Sequence, residues 1–147
     1  MSNALDILQN DLGNVDLTPT LPKRGAKTLA VISKIEQRQS SSGKPMISYE
    51  VKTLEACPAH NKDVEVAAGY TRGDQIVLER TSRTGEDLSH NVARDLARFK
   101  LAVTGSADGA FMPLEQYLDC QVMVEWNVEE SEQYGTQARI RRLSRVN

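Results

Sequence analysis

Residues 121–128 read Gln-Val-Met-Val-Glu-Trp-Asn-Val, which sets Val122, Val124, Trp126 and Val128 at strict two-residue spacing with mostly polar residues between them. An extended chain turns every second side chain to the same side, so this pattern specifies a half-buried β-strand. Residues 46–52 repeat it with Ile47, Tyr49 and Val51 on one side. Between these two strands the period changes. Leu88, Val92, Leu96, Phe99 and Val103 follow one another at steps of 4, 4, 3 and 4, the apolar stripe of an α-helix. A chain that switches from period two to 3.6 and back must lay one helix against a sheet. Its 147 residues suit one domain.

The remaining segments fill in the order. Residues 28–35 are rich in β-branched side chains, with Leu29, Val31 and Ile35 on one face, and residues 39–45 form a polar turn with Gly43 and Pro45. Together with residues 46–52 they predict a β-hairpin with a basic-flanked tip. Residues 55–62 read as a loop. Val64, Val66 and residues 75–80, interrupted by Gly69 and Gly73, predict a bent third strand or two short ones. After a polar loop over 81–87, Asp87 or Ser89 caps the helix and Gly105 ends it. Pro113 opens a short helical turn bearing Leu114, Tyr117 and Leu118. Residues 129–137 read as a second hairpin loop, and 136–143 as the last strand. The first 22 residues form an acidic arm: Leu5, Leu8 and Leu12 have helical spacing, but Gly13, Pro19 and Pro22 keep any helix short. Residues 23–147 are the expected domain.

The formal net charge of -2 conceals an uneven distribution. Residues 1–22 carry -3, 23–44 carry +5, 45–132 carry -8 and 133–147 carry +4. Local field governs binding more than the total does, so two basic segments that meet in space would form one positive patch; solvated strand faces also collect Lys and Arg. A mean hydropathy of -0.45, with no long apolar run, predicts no membrane span. The first residues show no secretory leader, and two cysteines, Cys57 and Cys120, make no disulfide framework, so a cytoplasmic setting is expected. Cys57-Pro58-Ala59-His60 offers only half of a metal site, and Cys120 and His90 complete no ligand spacing. No nucleophile elbow, phosphate loop or zinc-protease motif is present. A non-catalytic protein without metal or cofactor is the expectation.

The order β-β-β-α-β-β, all-β apart from its one main helix, is that of the OB-fold, a five-stranded Greek-key barrel with the helix between strands three and four. In such a barrel single-stranded nucleic acid crosses strands two and three and is gripped by the loops joining strands one and two, and four and five. Those loops fall at 38–45 and 129–137. Cations there would follow phosphates and aromatic rings would stack on bases. The residue types assign Arg38, Lys44, Lys52, Arg72, Arg139 and Arg141 to phosphate, and Tyr70 and Tyr134 to stacking. Tyr49 and Trp126 share the faces of valines and are expected in the core.

Leu21-Pro22 with Gly25 nearby, an extended strand, Ser42-Gly43 in the turn and Tyr49-Glu50-Val51 resemble the opening of a bacteriophage family of single-stranded DNA-binding proteins. The helix at 88–103 ending at Gly105, the segment 114–119 and the valine strand follow the same pattern, so the likeness runs from about Leu21 to Leu143. It implies an OB-fold, sequence-tolerant single-stranded DNA binding, and a role in phage DNA replication or recombination in the host cytoplasm. Many such proteins end in an acidic tail that docks replication enzymes. This sequence ends Ser-Arg-Val-Asn, and its acidic segment is residues 1–22, which are expected to dock replication or recombination proteins or to compete with DNA for the basic face. Homo-oligomerisation stays open. The strongly acidic middle block keeps two other readings in view: a protein-interaction module (an inhibitor, DNA mimic or assembly factor), and a small virion component.

Overall fold

The structure, a computed structural model, describes residues 19–79, 84–133 and 135–146. Strands β1 (Lys27–Gln39), β2 (Pro45–Thr53), β3 (Cys57–Pro58), β4 (Glu65–Val66) and β5 (Thr71–Val77) precede helix α1 (Ser89–Thr104); a 3-10 turn (Leu114–Tyr117), β6 (Gln121–Ser131) and β7 (Gly135–Ser144) follow it. Five strands form one antiparallel sheet in the order β5-β2-β1-β6-β7. β3 and β4 make a separate small hairpin, with Cys57, Ala59 and Val66 at its apolar centre. The predicted third strand is thus two, and the loop expected over 55–62 contains β3. No helix among the described residues is long and apolar enough to cross a membrane.

The sheet curls without closing. β5 and β7 touch, but each is an edge strand and no ladder joins them, so the architecture is an open five-stranded sheet and not the closed barrel expected from the sequence. Helix α1 lies between these two edges and packs Phe99 against Tyr49, the ring centroids 4.8 Å apart.

The core follows the alternation. Ile47, Tyr49 and Val51 of β2, and Val122, Val124, Trp126 and Val128 of β6, are all buried, and Val92, Phe99 and Val103 of the helix stripe join them. Trp126 and Tyr49 are therefore core residues. Full burial of an indole requires a partner for its N–H. Trp126 Nε1 donates to Thr28 Oγ1 at 3.2 Å, and Thr28 is itself fully buried. That bond fixes the inward face of β1 as Thr28, Ala30 and Ile32, and leaves Leu29 and Val31 only half-buried on the other face. Ser33 is then an extra residue: the register runs Ile32 opposite Val51, then Lys34 opposite Glu50. This bulge reverses the alternation and returns Ile35 to the core side. The face predicted from Leu29, Val31 and Ile35 is thus split between the two sides of the sheet.

The N-cap of helix α1 is Leu88, without a side-chain cap, and not the expected Asp87 or Ser89. The Asp87 carboxylate accepts the Ser89 N–H at 2.9 Å just ahead of the helix, which ends at Gly105, whose φ of 84° is left-handed. The Arg145 guanidinium lies where a Cβ on Gly105 would sit, beside the carbonyl end of the helix, where its charge is favourable. At the other end of the described chain, Leu21 packs on the core, Pro22 is buried and bridges Ala59, and Lys23 N–H donates to Pro58 O. Residues 1–18 of the proposed arm lie outside the described residues.

Candidate nucleic-acid interface

In an antiparallel ladder, residues directly opposite one another point to the same face. Arg38 stands opposite Met46, Lys34 opposite Glu50, Lys52 opposite both Val31 and Thr71, and Gly73 opposite Glu50. These positions make up the outer face of the β1–β2–β5 half of the sheet, away from the core. Lys52 is exposed and its stem passes Gly69, 4.0 Å from where a Cβ would stand. At the β1–β2 tip, Ser40 N–H donates to Lys44 O, Gly43 N–H donates to Ser40 O, and Gly43 takes a φ of 84°. This tight turn projects Lys44 into solvent beside Arg38, which pairs with Glu36 at 3.4 Å. Lys34, Lys44 and Lys52 form no ion pair among the described residues.

Arg72 lies elsewhere. It stands opposite fully buried Val51, on the core face of β5, and its Nε is buried without a hydrogen-bond partner among the described residues. Tyr70 is half-buried, with its ring edge-on to Trp126 at 5.6 Å. Burial pushes the Tyr70 phenol pKa up, and the neighbouring Arg72 charge pulls it partly back. Tyr70 and Arg72 are therefore neighbours at the end of the core, not on the strand face that carries Lys52.

The second basic segment is at the opposite sheet edge. β7 is separated from β1 by β6, and because β6 runs antiparallel to β1, its hairpin with β7 points back past the start of β1 while the β1–β2 tip lies beyond its end. The two basic tips extend in opposite directions along β1. The strands also continue through Ser131 and resume at Gly135, so the tip is shorter than the loop expected over 129–137. Tyr134 lies outside the described residues. Arg139 pairs with Glu129 at 2.7 Å, and Arg141 with Glu125 at 3.4 Å. Arg141 is the extra residue of a β7 bulge, since Glu125 faces Arg142 and Trp126 faces Ile140. Glutamates on β6 thus offset two of the arginines that the sequence assigned to phosphate, a cross-strand arrangement that one-dimensional charge counting cannot reveal.

Among the described residues every aromatic side chain is buried or packed against the core, so the outer face offers cations and backbone but no exposed ring. No group of three or more His, Cys, Asp or Glu among the described residues is arranged to hold a metal ion. Lys62, which donates to Thr20 Oγ1 at 3.3 Å near the β3–β4 hairpin, is a contact the sequence did not suggest. No protein-family model and no curated protein sequence matches the chain.

Proposed function

We propose that this chain is a non-catalytic, sequence-tolerant single-stranded DNA-binding protein built on an OB-fold-like sheet. The observation that carries the reading is the strand order β5-β2-β1-β6-β7 with α1 inserted between β5 and β6. We take this order for that of a five-stranded Greek-key barrel opened along one seam, the architecture in which strands two and three bind oligonucleotides. Here those strands are β2 and β5. Lys34, Lys52 and the Arg38–Lys44 tip lie on or beside their outer face and would follow a phosphate backbone. Arg139 and Arg141 would join it after exchanging a glutamate for a phosphate, with Tyr134 and the exposed part of Tyr70 as stacking surfaces. In the setting implied by the phage resemblance, the protein would work on DNA during replication or recombination in the host cytoplasm.

One observation favours a second reading. The Glu125 and Glu129 pairings and the buried rings leave the β6–β7 face nearly neutral, as suits a protein-interaction module. Fluorescence anisotropy with labelled single-stranded and duplex oligonucleotides separates the two. Single-strand preference that falls with salt, and falls again in Lys44→Ala, Tyr134→Ala and Arg139→Ala, supports DNA binding. No binding to either oligonucleotide at low salt transfers the weight to the interaction module.

A further inference from the structure

A groove between the two sheet edges shares only Arg141 with the residues of the DNA reading. Among the described residues β5 pairs only with β2 and β7 only with β6, and both strands, together with α1, border a cleft of about 850 Å³. Ile76, Phe99, Ile140 and Leu143 give it apolar walls, and Leu101, 50% exposed, stands open on the helix side. Four arginines line it, Arg98 from α1 and Arg141, Arg142 and Arg145 from the last strand and just beyond, against two acids, Asp74 and Asp95; Arg141 is already paired with Glu125, which leaves three to face the groove's acids. Asp74 is engaged by the Tyr49 hydroxyl at 3.3 Å. Arg98 and Arg142 form no ion pair among the described residues. An apolar trough with excess arginine, bordered by two strand edges that no described strand pairs, suits an extended segment that supplies apolar side chains, carboxylates and its own backbone as an added strand.

We propose that the occupant is the N-terminal segment of the same chain, residues 1–18. It carries Asp6, Asp11 and Asp16 and no basic side chain, with Leu5, Ile7, Leu8, Leu12, Val15 and Leu17 among and around them. Charge and apolar content therefore both complement the groove. The outer face of β1–β2–β5 is a poorer match: its lysines alternate with Glu36 and Glu50, and it has no apolar trough for the leucines. Reach is not limiting. Pro22 is anchored at Ala59, and eighteen extended residues span roughly 60 Å, whereas a domain of this size has a radius of gyration of roughly 14 Å.

The test uses the full-length protein with Leu8 replaced by the photoreactive residue p-benzoylphenylalanine, irradiated and mapped by mass spectrometry. Crosslinks should concentrate on Leu101 and on 140–143. In a mixture of light and 15N-labelled protein they should form within single molecules. Leu101→Asp, at an exposed position with the fold checked by circular dichroism, should reduce them about tenfold, the effect of losing one central apolar anchor; Leu101→Gln serves if the aspartate variant misfolds. Crosslinks that scatter, fall on the β1–β2 tip, form only between copies or survive the Leu101 change overturn the proposal. So does an Arg98→Glu variant that loses single-stranded oligonucleotide affinity about tenfold while its crosslinks stay unchanged, which would assign these arginines to phosphate.

Discussion

Arg139 and Glu129 stand diagonally across the β6–β7 ladder with Nε and Oε2 2.7 Å apart and both side chains about half exposed. An exposed pair of this kind adds little to stability, because water and salt screen it. Its consequence lies in binding, since a phosphate must displace the carboxylate to reach the guanidinium. Glu129→Gln is therefore expected to change unfolding free energy by no more than about 0.5 kcal/mol. The same variant should tighten single-stranded oligonucleotide binding and steepen the slope of log affinity against log salt by about 0.7, the release expected for one more phosphate contact. Urea denaturation and anisotropy titrations at several salt concentrations check the two halves.

The buried Trp126–Thr28 hydrogen bond gives a stability prediction. Thr28→Val keeps the shape but leaves the indole N–H without its 3.2 Å acceptor in a fully buried site. The expected cost is about 1–3 kcal/mol, and Trp126→Ala should cost about 3–5 kcal/mol because it also opens a cavity. Urea midpoints measure both. Oligonucleotide affinity, scored on the folded fraction, should not change, because neither side chain reaches the surface.

Alkaline stability should depend on Tyr49. Burial first, and then the charge and hydrogen bond of Asp74, raise its phenol pKa far above the ordinary value near 10. In the unfolded chain the phenol ionises near pH 10, whereas in the folded chain it keeps its proton. Above pH 10 the unfolded state therefore binds fewer protons and stability falls as pH rises, by up to about 1.4 kcal/mol per unit for this one group. Below pH 10 the contribution is intact. Tyr49→Phe should flatten that alkaline decline, read from urea unfolding at pH 9 to 11, and should remove one late-ionising phenol from the absorbance titration.

The sequence carried the inward faces of β2 and β6, the helix stripe and the Gly105 stop, because each is written in local spacing. The face of β1 was not legible. A buried threonine looks polar in sequence until Trp126 supplies its partner, and the Ser33 bulge reverses an alternation that counting assumes to be continuous. Closure was also beyond local pattern, since it depends on whether two strands more than fifty residues apart pair across α1. The candidate site divides in the same way. Composition locates Lys44 and Lys52 on exposed positions, but the pairing of Arg139 and Arg141 with β6 glutamates depends on register, and the inward turn of Arg72 depends on its place opposite Val51.

Lys52 and Arg72 separate these roles in one experiment. They lie on neighbouring strands but on opposite faces, Lys52 opposite Thr71 and Arg72 opposite Val51. Lys52→Gln removes an exposed charge from the outer face. It should leave the urea midpoint unchanged, weaken single-stranded oligonucleotide binding and make the salt slope shallower by about 0.7. Arg72 holds a buried Nε without a hydrogen-bond partner, so Arg72→Leu exchanges an unsatisfied polar atom for an apolar one. Its stability should hold or rise by about 1 kcal/mol, because the cost of that desolvated atom disappears. If Arg72→Leu also lowers the salt slope as Lys52→Gln does, the guanidinium end reaches phosphate past the rim of the core, and the binding surface extends around the β5 edge towards Tyr70. If the slope is unchanged, the phosphate path stays on the outer face and Arg72 takes no part in it.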